Sequence, residues 1–186
     1  MLIVGATGTG KTTILKKILR KSLESGRRAL IVTPHDDEWL NIPIVHPKYP
    51  ERIRNYKGAR RVVCHLGCVD ILENIKANFS HGFLIFDDAK GYIRSGDREF
   101  MESFLMSCRQ KDIDFAVVGH GLTYIPPVFY GFIDHCIVFK TRDNYLKRKE
   151  DLGENLETVE KHIKSVNAKW DSNPQQYHHY YEIFKL

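Results

Sequence analysis

The sequence predicts an α/β domain with a mostly parallel central sheet and helices on its faces. Short apolar runs alternate with amphipathic stretches along most of the chain, which is the pattern of successive βα units. The first apolar run, 2–4, leads through a glycine-rich segment into a helical pattern. The chain has 186 residues, of which 42% are hydrophobic, so it can form one domain with a substantial core.

The remaining elements follow from apolar spacing and from the residues that break it. The first helix is predicted from Lys11 to Ser25, because Gly26 is a natural stop. A proline-rich irregular stretch is expected from 34 to 58, and Asp70 is expected to cap the second helix. The predicted strands are 28–33, 61–66, 82–88, 115–120 and 136–139. The other predicted helices are 71–79, the amphipathic 98–110 and a short segment at 128–132.

The composition changes beyond Lys140. Residues 143–170 are charged and helix-prone, and Gly153 is expected to separate two helices. Residues 176–186 are rich in aromatic side chains and predict an edge strand or hairpin that closes the sheet. We therefore expect a core at 1–145 and a helical and strand extension at 146–186, packed on the same domain.

Gly5 to Thr12 form a complete P-loop, the Walker A pattern of Gly, four residues and Gly-Lys-Thr. Its position between a strand and a helix distinguishes it from a chance glycine-rich turn. Backbone N–H groups and the helix N-terminus would hold the phosphates of ATP, and Lys11 would reach the β- and γ-phosphates. The Thr12 hydroxyl is a predicted Mg²⁺ ligand. The predicted nucleotide-binding set is Gly5, Ala6, Thr7, Gly8, Thr9, Gly10, Lys11, Thr12 and Thr13.

The apolar run 83–86 ends in two carboxylates and has the form of a Walker B motif. Asp87 can hold Mg²⁺, because this ion needs few carboxylates and keeps several waters. Asp88 can orient or activate the attacking water as a general base. The alternative is that Asp88 caps a turn at 89–91.

Two further catalytic roles need residues outside these motifs. His120 ends the predicted strand 115–120, at the edge where α/β proteins bind ligands, and could sense the γ-phosphate. The alternative is a solvated loop histidine. A γ-phosphate transition state also needs an arginine, often supplied by a neighbouring subunit. The sequence does not choose among the candidates Arg94, Arg98, Arg109 and Arg142.

The charge balance is compatible with a polyanionic partner such as DNA. Lysine and arginine number 28 against 23 acidic residues, a formal net charge of +5. Either of two basic clusters could face DNA, although such runs are often only solvated surface. The first cluster is Arg52, Arg54, Lys57, Arg60 and Arg61, interleaved with Tyr49 and Tyr56. The second is Lys140, Arg142, Lys147, Arg148 and Lys149.

The chain shows no sign of a membrane or secretory protein. No apolar run is long enough for a membrane span, and the P-loop stands where a signal peptide would be. Since the first strand begins beside Met1, we expect no preceding accessory domain or membrane anchor. The expected location is the cytoplasm, which for a viral protein means the host cytoplasm or the virion. The four cysteines, 64, 68, 108 and 136, are expected to be reduced and mostly buried.

The order of the motifs resembles the HerA/FtsK superfamily of DNA-translocating ATPases. After the Walker motifs come a helix ending in Arg109, a strand followed by His120, the Ile125-Pro126-Pro127 segment and an apolar strand at 136–139. The compact viral genome-packaging ATPases are the most similar members in size, and the resemblance covers about 1–145. It implies a RecA-like fold.

The resemblance also assigns roles. It implies that Arg109 acts in trans, that His120 is the polar sensor, and that subunits form a ring, usually a hexamer, around DNA. Two positions depart from the family pattern. Asp88 replaces the usual glutamate, and Gly119 stands where threonine or serine is common.

The expected function is an ATP-hydrolysing motor that moves single- or double-stranded DNA, with a capsid or portal protein as a partner. Packaging of a viral genome fits best. The alternatives are a filamentous-phage assembly or conjugation-type ATPase, a small-molecule kinase, and a nucleotide-gated adaptor with little turnover. A kinase would need an arginine-rich lid, whereas paired carboxylates after a buried strand fit water activation better.

Overall fold

The computed structural model describes residues 1–35, 37, 39–46, 49–65, 68–173 and 180–186. Seven strands of one sheet are described: β1 (Leu2–Val4), β2 (Arg28–Thr33), β3 (Ala59–Val63), β4 (Gly82–Asp87), β5 (Ile113–Gly119), β6 (His135–Phe139) and β7 (Tyr181–Lys185). Their order across the sheet is β3-β2-β4-β5-β1-β6-β7. Strands β1 to β6 pair in parallel, and β7 adds antiparallel to β6. The predicted mostly parallel sheet with an edge strand is confirmed.

The short strand β1 lies between β5 and β6 and fixes the place of the P-loop. Val4, its last residue, is in register with Gly119 of β5 and Val138 of β6. Three strands therefore end together, where the loop after β1 begins. Carboxyl ends of neighbouring parallel strands form the ligand crevice of α/β proteins.

Helices cover both faces of the sheet. They are α1 (Lys11–Glu24), α2 (Pro50–Arg54), α3 (Val69–Asn78), α4 (Arg98–Gln110), α5 (Lys149–Leu152) and α6 (Leu156–Ser172). One core contains buried side chains of α1 and of alternate strand positions such as Ile3 and Ile31. The other contains α3, α4 and α6 with the opposite strand positions, such as Leu2 and Leu30. This alternation is the period-2 pattern of a sheet buried on both faces. No helix of the described residues is long and apolar enough to cross a membrane.

Two local predictions in the first half of the chain are wrong. The stretch predicted as irregular contains α2, which starts at Pro50, a residue suited to the first helical turn. Asp70 does not cap the next helix, because α3 begins at Val69 with Cys68 at the N-cap position. Asp70 instead lies in the first turn, where its charge is favourable to the helix dipole. The strand predicted at 61–66 is β3, and its predicted end at Leu66 lies outside the described residues.

The expectation of four reduced cysteines is wrong for the first pair. Cys64 and Cys68 form a disulfide between the end of β3 and the start of α3. Their Cα atoms lie 5.9 Å apart, a separation that a disulfide spans without backbone movement. Cys108 and Cys136 are free and buried as expected, and burial raises the pKa of each thiol to about 12.

The C-terminal extension joins the same sheet. Gly153 separates α5 from α6 at a φ of 52°, as the sequence predicts, and β7 pairs with β6 from Tyr181 to Lys185. The part of the predicted edge segment at 176–179 lies outside the described residues.

Glu182 of β7 connects the last strand to α6. Its carboxylate accepts hydrogen bonds from His162, from Ser165 Oγ at 2.5 Å and from Lys169 Nζ at 2.7 Å. Burial opposes ionisation of this carboxyl, but the three donors outweigh it and lower its pKa to about 2. The ring of His162 also stacks on Phe184, with centroids 4.1 Å apart. Polar and aromatic contacts together hold β7 against the extension helix.

Candidate active site

The P-loop is anchored to both strands that flank β1. Gly5 N donates to Gly119 O at 3.3 Å, and Ala6 N donates to Lys140 O at 2.8 Å. A side chain at position 5 would not fit, since an added Cβ would lie 2.5 Å from Phe139 Cβ. Gly10, at the N-cap of α1, has a φ of 102°, which only glycine adopts readily. The loop is therefore shaped by the sheet beneath it.

The first turn of α1 presents the groups that a phosphate needs. No side chain among the described residues caps this helix start, so its amide groups remain available to an anion. Lys11 is buried, and its Nζ donates to Gly5 O at 2.7 Å and to Ala6 O at 3.0 Å. The ammonium thus lies over the loop itself. Thr12 and Thr13 are exposed on the same turn.

Asp87, the last residue of β4, is a buried carboxylate at the same edge of the sheet. Its Oδ2 accepts a hydrogen bond from Trp39 Nε1 at 2.8 Å. A single carboxylate and the hydroxyl of Thr12 are hard oxygen ligands, and such a small set suits Mg²⁺, which completes its shell with water and phosphate oxygens. The residues present therefore fit this ion.

Asp88 lies between two histidines. Its backbone has a φ of 46°, the left-handed region, which turns the chain sharply after β4. His35 Nε2 is 3.1 Å from Asp88 Oδ2, and His120 Nε2 is 3.4 Å from the same oxygen. Asp88 occupies the N-cap position of the 3₁₀ turn Ala89–Gly91, but no hydrogen bond from its side chain caps that turn. The structure therefore does not support the alternative that the Asp88 side chain caps this turn.

His120 connects Asp88 to the P-loop. Its Nδ1 lies 3.3 Å from Thr7 Oγ1, and its ring meets Tyr124 edge-on at 6.1 Å between centroids. A polar chain thus runs from Thr7 through His120 to Asp88 and His35. His120 is half exposed at the end of β5, where the sequence predicts it. His120 is exposed just after the strand, so its role as a sensor stays a prediction.

His35 and Trp39 are site residues that the sequence reasoning did not find. Both follow β2, which is paired with β4 so that Val32 is in register with Phe86. The end of β2 therefore lies beside the end of β4, and His35 and Trp39 follow it close to Asp88 and Asp87. The pairing of β2 with β4 would have pointed to these two residues, but the strand order cannot be read from the sequence alone.

Arg109 lies far from the P-loop of its own chain. It sits at the end of α4, before the start of β5, whereas the P-loop lies beyond the end of that strand. The six residue steps from Ile113 to Gly119 span about 20 Å. Arg109 instead lines an open cavity of about 1070 Å³ near the amino ends of the strands, together with Arg27 and Asp112.

The other arginine candidates have varied surroundings. The Nε of Arg98 donates to Glu102 Oε1 at 2.8 Å within α4. Arg94 precedes the 3₁₀ turn Ser95–Asp97, and its backbone N–H donates to Asp97 Oδ2. Arg142 is exposed after β6. The contacts of Arg94 and Arg98 named here lie within their own segments of the chain.

The two basic clusters are partly structural. In the first, Arg54 donates to Asn78 and Arg61 to the carbonyl of Ile42. The guanidinium of Arg52 lies over Tyr49, 4.8 Å from the ring centroid, and remains at the surface. In the second cluster, Arg148 donates to Thr123 O and Ile125 O, so it holds the loop after β5. The exposed members are Arg52, Arg54, Lys57, Arg142, Lys147 and Lys149.

Gly119 stands where the superfamily that the sequence resembles often has threonine or serine. An added Cβ would lie 2.7 Å from Ile125 Cδ1. The loop after β5 folds back over the strand end here. Asp143 fixes this loop by accepting from Thr123 N at 2.7 Å. A larger residue at position 119 would therefore require the end of the Ile125 side chain to move.

Comparisons with known proteins agree with this fold. A family model described as the type IV secretion-system coupling protein DNA-binding domain matches residues 1–36, which contain β1, the P-loop, α1 and β2. No protein of curated function matches the chain significantly in sequence.

Solved structures of a viral NTPase have a similar fold over most of the chain. The genome packaging NTPase B204 from Sulfolobus turreted icosahedral virus 2, in complex with AMPPCP, is 17% identical with a TM-score of 0.70, covering 89% of this chain and 86% of that one. Its complex with AMP gives 16% identity and a TM-score of 0.71, covering 99% and 90%. The structure of B204 described as the DNA-packaging ATPase from Sulfolobus Turreted Icosahedral Virus is 18% identical with a TM-score of 0.62. This match covers 89% of this chain and 92% of that one. The chain therefore has an α/β, RecA-like P-loop fold, and the predicted resemblance to HerA/FtsK-type packaging ATPases holds at the level of the fold.

Proposed function

We propose that this chain is an ATP-hydrolysing motor that moves DNA, and that it packages a viral genome into a capsid. The observation that carries the proposal is the meeting of the P-loop with Asp87 and Asp88 at one edge of the sheet. The fold is shared with genome packaging NTPases, and the match over 1–36 is to a DNA-binding domain. In this proposal, residues 1–145 are the motor core and 146–186 are its extension.

ATP and Mg²⁺ would bind at the start of α1. The amide groups of the P-loop would hold the phosphates, and Lys11 would leave its loop carbonyls to meet the β- and γ-phosphates. Thr12 and Asp87 would hold Mg²⁺, which supplies charge neutralisation at the phosphates when bound. Thr13 and the loop residues between Gly5 and Gly10 complete this site.

Asp88 would accept the proton of the attacking water. It is next in sequence to Asp87, the proposed metal ligand, and a general base must lie within hydrogen-bond reach of the proton that it abstracts. His35 and His120, which both approach Oδ2, would hold the carboxylate in place. The contact of His120 with Thr7 gives it a route to report on the γ-phosphate, the role of a sensor.

Arg109 and the basic surface would act between subunits and on DNA. Because Arg109 cannot reach its own P-loop, it can serve a nucleotide only from a neighbouring subunit of a ring. The exposed members of the basic clusters would contact DNA phosphates. A capsid or portal protein would be the docking partner of the ring.

The proposal is tested by steady-state ATP hydrolysis with no DNA, with single-stranded DNA and with double-stranded DNA. We expect the wild-type rate to rise with DNA, and the rates of Lys11→Ala and Asp88→Asn to fall to background in all three conditions. Lys17→Ala is the matched control, since Lys17 is exposed on the same helix.

The other outcomes identify the alternatives. Nucleotide binding with slow turnover that DNA does not change would contradict the motor and favour a gated adaptor. Phosphate transfer to a small molecule in place of water would favour a kinase. DNA-stimulated hydrolysis without any packaging in a capsid assay would favour an extrusion or conjugation-type motor.

A further inference from the structure

Trp39 is an unusual residue for a loop. It follows β2 outside any helix or strand, yet its side chain is only 8% exposed. Its backbone φ is 61°, in the left-handed region that bulky residues avoid. Such a conformation persists only where the surroundings fix it, and it often marks a functional position.

The surroundings that fix Trp39 belong to the nucleotide site. The indole packs in the core formed by α1 and the sheet, with Leu15 and Leu19 among its members. The ammonium of Lys16 lies 5.7 Å from the indole centroid. Lys16 is on α1, just over one turn beyond Lys11. The indole therefore bridges the P-loop helix and the end of β4.

The polar edge of the indole meets the predicted metal carboxylate. Trp39 Nε1 donates to Asp87 Oδ2 at 2.8 Å in a buried setting. A hydrogen bond to an ionised carboxylate is about twice as strong as one between neutral groups. It also fixes the direction in which the remaining oxygen lone pairs point. Partners of this kind orient the ligands of metal ions and tune the affinity of the site.

We propose that Trp39 is a positioning residue for Mg²⁺: its indole N–H fixes the carboxylate of Asp87 so that the metal, once bound with nucleotide, meets a preorganised ligand. This inference rests on the proposed nucleotide site and adds a residue to it. Trp39 touches neither the phosphates nor water in this scheme. It acts only through Asp87.

The test replaces Trp39 with Phe, which keeps an aromatic ring in the core and removes the donor. We expect the Mg²⁺ concentration for half-maximal ATP hydrolysis to rise about 10–100-fold. Excess Mg²⁺ should restore most of kcat, and nucleotide affinity measured in EDTA should stay within a few-fold of wild type. A residue that only packs in the core would not move the Mg²⁺ dependence selectively.

Trp170→Phe is the matched control, because it makes the same exchange at the other tryptophan, which lies on α6 beside Lys140. Its Mg²⁺ dependence should equal that of wild type. An unchanged Mg²⁺ dependence in a folded Trp39→Phe protein overturns the proposal.

A second measurement needs no change at Trp39. In the Trp170→Phe protein, Trp39 is the only tryptophan, so its fluorescence reports its own surroundings. With AMPPCP bound in EDTA, addition of excess Mg²⁺ should shift or quench this emission at the Mg²⁺ concentration that activates the site. Emission that ignores Mg²⁺ overturns the proposal even if Trp39→Phe fails to fold.

The two proposals fail separately. A fluorescence response to Mg²⁺ in a protein without ATP hydrolysis would sustain the role of Trp39 and refute the motor. DNA-stimulated hydrolysis with the same Mg²⁺ dependence in both tryptophan variants would sustain the motor and refute the role of Trp39.

Discussion

Replacement of Arg109 by alanine tests whether the active site is shared between subunits. In one chain, the P-loop and Arg109 lie at opposite edges of the sheet, separated by the length of β5, about 20 Å. An arginine side chain cannot cover that distance. If Arg109 stabilises the transition state, it does so in a neighbour, and its loss should lower the rate about 10³–10⁵-fold, the range known for such arginines.

The geometry also predicts rescue by mixing. Lys11→Ala keeps Arg109, and Arg109→Ala keeps Lys11, so an interface between the two variants can contain one intact site. In rings assembled randomly from equal amounts, about a quarter of the head-to-tail interfaces have the right pair. Co-expressed variants should therefore regain up to about a quarter of the wild-type hydrolysis rate, while each alone stays near background.

The control is Arg98→Ala, on the same helix. Arg98 bonds to Glu102 at the surface, and its loss should leave the rate near wild type. A wild-type rate in Arg109→Ala would refute the assignment of the trans-acting arginine. A co-assembled mixture no more active than its separate components would refute the shared site.

Two further predictions concern the stability of the fold. Since the pKa of Glu182 is lowered from 4.5 to about 2 in the folded chain, its contribution is present above pH 4.5 and is lost as the pH falls toward 2. Thermal melting should show this loss in the wild type and a weaker pH dependence over that range in Glu182→Gln; parallel curves would contradict it. Gly121→Ala would place a methyl group 2.6 Å from Asp143 Cβ and should destabilise the protein by about 1–3 kcal/mol in urea unfolding. Gly131→Ala, where an added Cβ meets nothing within 4 Å, should be close to neutral; equal stabilities would contradict the packing reason.

The sequence was sufficient where one local pattern determines the structure. The helix from Lys11 follows from the P-loop and its stop at Gly26, and α4 has the bounds predicted from its apolar face. The strands β2 and β4 are buried on both faces and are continuous apolar runs, so their positions were also predictable. Because the strands are parallel, these elements place Lys11 and Asp87 together at the carboxyl ends of the strands.

Other features depend on strand order and on loop contacts. His35 approaches Asp88 because β2 lies next to β4 in the sheet. No local pattern in 28–35 predicts that neighbour. In the sequence, Trp39 is a solitary tryptophan in a proline-rich stretch. No apolar periodicity around it predicts its burial or its hydrogen bond to Asp87. The disulfide of Cys64 with Cys68 likewise depends on a turn whose geometry the spacing alone does not fix.

Asp88 stands where the HerA/FtsK superfamily, which the sequence resembles, usually has glutamate, and its surroundings bear on whether an aspartate can act as the proposed base. An aspartate is one methylene shorter, so its carboxylate must be carried toward the water by the backbone or held there by neighbours. Two features fit this requirement: the left-handed φ of 46° redirects the chain immediately after β4, and His35 and His120, which follow β2 and β5, approach the same oxygen. A short side chain fixed from two strands loses less conformational freedom on ordering than a free glutamate would. The histidine pair is thus a structural reason why an aspartate could serve as the proposed base at this position.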